Sequence, residues 1–209
     1  MTITFFLASF VSLFALINPL SALPVFISLT ANHDASWRAV QVRKTCVYIV
    51  IISFCAFLLG SSILHFFGIS INALKIAGGI IISRSGFLLL KAKHKQDIKG
   101  KLKKESMEKE DIAFSPLAMP LLSGPGSISL LINMSIENVY FTNRITILLA
   151  IICVAISIYI IFSVAPQLFK YMGRAGLNSM SKIMGFLVLA IGIEMIINSV
   201  LNLIKTIPV

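Results

Sequence analysis

Charge is what this sequence has least of. Asp, Glu, Lys and Arg together make up 12% of 209 residues, and only eight of them are acidic. A soluble domain carries about twice that charged fraction. Hydrophobic residues reach 57% and the mean hydropathy is +0.95. Such a chain cannot cover a globular surface with polar groups, which excludes an ordinary soluble enzyme and points to a polytopic membrane protein. Metal-ligating and nucleophilic side chains are equally scarce. The three cysteines, Cys46, Cys55 and Cys153, are widely spaced in apolar stretches, with neither disulfide nor metal-ligand spacing. His33, His65 and His94 fall in different regions. There is no His-Glu-x-x-His run and no Gly-x-x-x-x-Gly-Lys-Ser/Thr phosphate loop. No catalysis, cofactor, metal or direct coupling to ATP is expected. The first charged side chain is Asp34, so no basic segment precedes the first apolar stretch and that stretch is expected to stay as a membrane span.

What is present is long apolar runs. A bilayer core needs about 20 apolar helical residues. Six stretches qualify: 5–29, 46–67, 69–90, 112–134, 145–169 and 183–204. The second and third are separated by little more than Gly68 and are expected to form a tight antiparallel pair. The polar stretch 91–111 separates a three-span unit, 1–90, from a second, 112–209.

The net charge of +10 does not mark a nucleic-acid binder, because the basic residues lie in short segments between spans. Arg38, Arg43 and Lys44 follow span one. Eight lysines fill 91–111, and Lys170, Arg174 and Lys182 follow span five. The other side has Lys75, Arg144 and Lys205, with Arg84 inside a span. This bias places the three richer loops in the cytoplasm and both termini outside, the periplasm in a Gram-negative inner membrane. Within 91–111, Lys101/Glu105, Lys104/Glu108 and Glu105/Lys109 have the spacing of helical ion pairs, which suits a surface helix or a solvated linker.

The halves carry an internal repeat. Asn18-Pro19 falls opposite Gly124-Pro125 at an offset of 106, and Lys75-Ile76-Ala77-Gly78 opposite Lys182-Ile183-Met184-Gly185 at 107. A three-span unit crosses an odd number of times, so its copy must be inverted. The expected fold is all-α: six transmembrane helices as two inverted three-helix repeats, with spans one and four broken. Inverted repeats with interrupted helices at matching positions are the pattern of secondary transporters.

Five of the seven prolines lie in spans one and four: Pro19, Pro24, Pro116, Pro120 and Pro125. A proline inside a helix removes a backbone bond and clashes with the preceding turn. In lipid the freed polar group must be covered by protein, water or ligand. The local chemistry is that of a helix start, with Asn18 or Gly124 as N-cap and Pro19 or Pro125 at the first helical position. Uncapped N–H groups near Ser21, Gly126 and Ser127 would form a site for an anionic or zwitterionic solute. The competing reading is a pair of packing kinks. Glu194, in the middle of span six, is a coupling candidate by virtue of its depth, with Asn198 one turn on. Proton coupling and a structural ion pair both remain open for it. Arg84 could reach Glu194 or snorkel to the interface. Lys75 and Lys182 read as interfacial anchors.

Asn18-Pro19-x-x-x-x-Pro24-Val25-Phe26, Ala118-Met119-Pro120-Leu121-Leu122-Ser123-Gly124-Pro125-Gly126-Ser127-Ile128, Ile76-Ala77-Gly78-Gly79-Ile80 and Ile183-Met184-Gly185 resemble the signatures of the MarC family over nearly the whole chain. Gly192-Ile193-Glu194 is similar to its YchE-like branch. Leu20 and Ser21 depart from the family pattern, which often places glycine there. The resemblance implies a multi-pass membrane protein and favours transport of small polar solutes, with neutral amino acids suggested by one archaeal relative. The partners implied are the lipid bilayer and a small polar solute; a homo-oligomer is left open. The alternative is a non-transporting scaffold or partner subunit.

Overall fold

The computed structural model describes residues 2–30, 33–91 and 112–206. They form helices: α1 (Thr2–Ile17), α2 (Pro19–Leu29), α3 (Ala35–Phe67), α4 (Ile71–Leu90), the wide π-type helix α5 (Ala113–Leu122), α6 (Pro125–Glu137), α7 (Phe141–Ser163) and α8 (Ala165–Thr206). The expected surface helix between α4 and α5 lies outside the described residues.

Apolar side chains cover both faces of these helices. Along α7, Ile147, Ile151, Val154 and Ile158 are buried while Leu149, Ile152, Ile156 and Ile160 are exposed. A helix that is apolar all round belongs in lipid. Five helical stretches are long and apolar enough to cross a bilayer: Ile3–Ile27, Ala35–Gly60, Ile71–Leu90, Phe141–Ser163 and Ala175–Ile204. The stretch expected as span four is divided into α5 and α6, each too short to cross alone.

The prolines explain that division. Ser115 and Met119 precede Pro116 and Pro120, and both adopt extended backbone angles. Proline disfavours helical geometry in the residue before it. The backbone answers with wider turns, in which Leu117 N–H donates to Ile112 C=O (3.2 Å) and Ser123 N–H to Ala118 C=O (2.7 Å).

Packing runs between the halves of the chain. α4 lies along α8, α3 packs on α6, α7 and α5, and α1 packs on α7 and α8. α6 also packs on α4, and α2 on α8 and α7. This corrects the expected α3–α4 pair. Gly68 ends α3 in the left-handed region (φ 64°) and Ser70 caps α4, so the turn is tight, yet each helix packs chiefly on the second half. The α4–α8 seam is made of glycine. A Cβ built on Gly79 would sit 2.6 Å from Gly192 O, and one on Gly86 would sit 2.5 Å from Leu189 N. Such backbone-to-backbone approach is the usual way small residues join membrane helices.

Two helix starts lie earlier than apolarity alone indicates. α3 begins at Ala35, capped by Asp34, so Arg38, Arg43 and Lys44 stand on its first turns and not in a loop. α8 begins at Ala165, inside the stretch expected as span five, and the chain between 170 and 182, expected as a loop, is helical with a break at Gly173 (φ 60°, ψ −174°). That φ favours glycine and lets the chain redirect before the span.

Candidate functional site

The two breaks build one site. α1 closes with Asn18 N–H donating to Phe14 C=O (2.9 Å), and Asn18 then turns left-handed (φ 47°, ψ 63°). Asn tolerates this region better than other residues with a Cβ. α2 starts at Pro19, and Ser21 N–H is shared between Asn18 Oδ1 (3.2 Å) and Asn18 C=O (3.1 Å). α6 starts at Pro125 after Gly124, with no side chain capping it. Ser127 Oγ donates back to Gly124 C=O (2.9 Å). Both half-helix starts occur where the sequence places them.

They face one cavity of about 280 Å³, lined by Asn18, Ser21, Gly124, Pro125, Gly126 and Ser127 together with α4 residues such as Ile82 and Ser85. Of the half-helix residues singled out from sequence, Asn18, Ser21, Gly124, Pro125, Gly126 and Ser127 share this wall, whereas Pro19 does not line it. Asn18 is buried, its Nδ2 has no hydrogen-bond partner among the described residues, and its Oδ1 is already used. A residue with a spare amide donor thus stands in the cavity wall beside two helix N-termini. That arrangement accepts a carboxylate or another anionic group. Gly126 keeps the wall thin: a Cβ there would lie 3.3 Å from Ile82 and 3.4 Å from Leu16.

Glu194 and Asn198 lie elsewhere. Asn198 Nδ2 donates to Glu194 Oε1 (3.3 Å), and both line a second cavity of about 370 Å³ with Ser12, Lys75, Asn133 and Glu137. Arg84 is not part of it. Its side chain is exposed and makes no ion pair with Glu194. The register explains why. Gly79 meets Gly192 and Gly86 meets Gly185 and Leu189 across the seam, so Arg84 lies more than a turn away from the level of Glu194. Lys75 also departs from expectation. It is buried and forms an ion pair with Glu137, whose other oxygen accepts from Asn133 Nδ2 (3.2 Å). Asn133 and Glu137 escaped sequence reasoning. Their only signal is a polar i, i+4 pair across the end of span four, with Asn133 inside the apolar run and Glu137 just beyond it.

The profile of the family described as "MarC family integral membrane protein" matches residues 3–204. The UPF0056 membrane protein YhcE of Escherichia coli is 35% identical over 192 residues, covering 91% of this chain and 89% of that protein. The UPF0056 membrane protein MJ1677 of Methanocaldococcus jannaschii is 34% identical over 200 residues, covering 96% and 98%. The UPF0056 inner membrane protein MarC of Citrobacter koseri is 34% identical over 207 residues, covering 94% of each. No solved structure matches. Matched from end to end by the family profile and by relatives of its own length, the chain belongs to the MarC family of multi-pass integral membrane proteins.

Proposed function

We propose that this protein is a secondary transporter of small polar solutes bearing a carboxylate, with neutral amino acids the first class to test. The observation that carries the reading is the cavity between the starts of α2 and α6, lined by Asn18, whose buried Nδ2 is without a partner among the described residues, and by the first residues of both half-helices. A packing kink alone has no use for a buried donor without an acceptor, which costs about 1–3 kcal/mol.

The reading takes the molecule as two inverted repeats crossing six times, with α5 and α6 together forming the fourth crossing. The offset of 106 supports this, since it recurs from Pro19 to Pro125 and from Ala35 to Phe141 at the starts of corresponding helices. The packing supports it too: α4–α6 answers α8–α2, α3–α6 answers α7–α2, and α1–α7 answers α5–α3. The bacterial relative's name places it in the inner membrane. We take this chain to lie there also, with its basic segments cytoplasmic and both termini outside.

The test is uptake and counterflow of labelled neutral amino acids in proteoliposomes, with wild type beside Asn18→Leu and Gly126→Leu. A leucine at 126 would project into the space between Leu16 and Ile82. Saturable flux lost in both folded variants is the expected result. Absence of flux for every amino acid, from protein verified as folded and inserted, would remove the amino-acid assignment.

A further inference from the structure

We infer that the second cavity is a site for a small monovalent positive charge, bound by the oxygens of Asn133, Glu194, Asn198 and Ser12. The argument begins with Asn133, which is 6% exposed. A carboxylate can only accept, so the bond from Asn133 Nδ2 to Glu137 Oε2 fixes which way the amide points. Its Oδ1 then faces away from Glu137, buried and without a partner among the described residues. Asn198 is oriented by the same logic. Its Nδ2 goes to Glu194, which turns its Oδ1, an acceptor, the other way.

The charges agree with the hydrogen bonds. Lys75 and Glu137 neutralise each other, and among the described residues no cation pairs with Glu194. The cavity is therefore left with one negative charge and a surplus of acceptors. Within a membrane helix such a carboxylate calls for a counter-charge. The half-helix cavity has the opposite character, with a spare donor and two positive helix ends.

The two cavities lie at different levels of the same helices. Both are lined by α1, α4 and α6, and along α4 the step from Ile82 to Lys75 is seven residues, about 10 Å. Between these levels Gly78 meets Ser129, with the end of Met195 near by at 3.6 Å from a Cβ built on Gly78. A cation bound above this contact would be placed to couple to a solute bound below it. That coupling role rests on the transport reading; the binding itself does not.

The test uses purified full-length protein in detergent. Thermal unfolding midpoints are compared at equal ionic strength in sodium, potassium, methylammonium and choline chloride. Saturable stabilisation by sodium or potassium relative to choline identifies an alkali-ion site. Stabilisation by methylammonium alone identifies a site for the ammonium group of a solute. In either case Glu194→Gln and Asn133→Ala should each raise the half-saturating concentration by about tenfold or more, while Arg84→Gln leaves it unchanged. Glu194→Gln keeps the side-chain volume, so it serves if Asn133→Ala fails to fold. The inference falls if no cation stabilises more than choline, or if the response survives Glu194→Gln. Cation stabilisation without flux of any amino acid would remove the amino-acid assignment and leave the site. Flux without cation stabilisation would do the reverse.

Discussion

The α4–α8 seam gives a prediction whose size follows from the coordinates. A methyl placed on Gly79 meets Gly192 O at 2.6 Å, and one on Gly192 meets Gly79 O at 2.7 Å and Ser83 N at 2.6 Å. Ordinary contact begins at 3.4 Å, so either Gly79→Ala or Gly192→Ala must part the helices locally by about 0.7–0.8 Å. Side chains also obstruct, Ile196 Cγ1 at 2.6 Å from the first methyl and Ser83 Oγ at 2.5 Å from the second, but even if these turn aside the backbone atoms have no other rotamer to adopt. Overpacking of this kind costs about 2–3 kcal/mol, and the better helix propensity of alanine returns about 1. Each single change should therefore destabilise by about 1–2 kcal/mol. The double variant should cost clearly less than the sum of the singles, because both methyls press on the same gap and a seam opened for one already admits the other. The assay is reversible unfolding in mixed micelles, run as a double-mutant cycle. Gly126→Ala, whose contacts at 3.3 and 3.4 Å are nearly ordinary, is the control expected to change little. Neutral single variants, or strict additivity in the double, would refute the account of the seam.

Three further outcomes are expected. Asn18→Ala should destabilise by about 2 kcal/mol, through loss of the cap to Ser21 and strain at positive φ, whereas Asn18→Gly should recover the strain portion in the same unfolding assay. Glu137→Gln should cost about 3 kcal/mol by leaving the buried Lys75 ammonium unpaired. Lys75→Met should cost only about 1, because Glu137 is half exposed and keeps its water, and the double variant should regain most of the loss. At the start of α3, hydrogen bonds from the Ser36 hydroxyl and then the Trp37 N–H hold the Asp34 carboxyl below its ordinary value of 3.8. The lowered pKa means that this cap is at full strength above pH 3.8 and is lost as pH falls through the folded-state value. Exchange of the Trp37 amide, corrected for intrinsic rates, should therefore quicken on acidification in wild type and be fast throughout in Asp34→Ala.

The parts of the fold that sequence foretold are those dictated by local chemistry. Hydrophobic length located five of the six expected spans, and Asn18-Pro19 and Gly124-Pro125 located two helix starts to the residue. Polar extensions escaped because apolarity measures what lipid requires, not where hydrogen bonding continues. Asp34 therefore starts α3 well before its apolar run, and Ala165 starts α8 ahead of Lys170 and Lys182. Partnerships between distant helices were also hidden. Glu194 drew attention by its depth, but its surroundings, Lys75, Asn133 and Glu137, come from α4 and α6. Their meeting depends on the glycine register of α4 on α8, which no spacing within either helix reveals. The family resemblance stated from motifs held over residues 3–204.

The dominance of packing between halves also bears on how the protein is made. When α4 has left the ribosome, α6 and α8, against which it will bury Gly78, Gly79 and Gly86, have not yet been synthesised. The nascent first half must wait in the membrane with its glycine face turned to lipid or to an insertion chaperone. Its assembly is therefore a late event, timed by the arrival of α8.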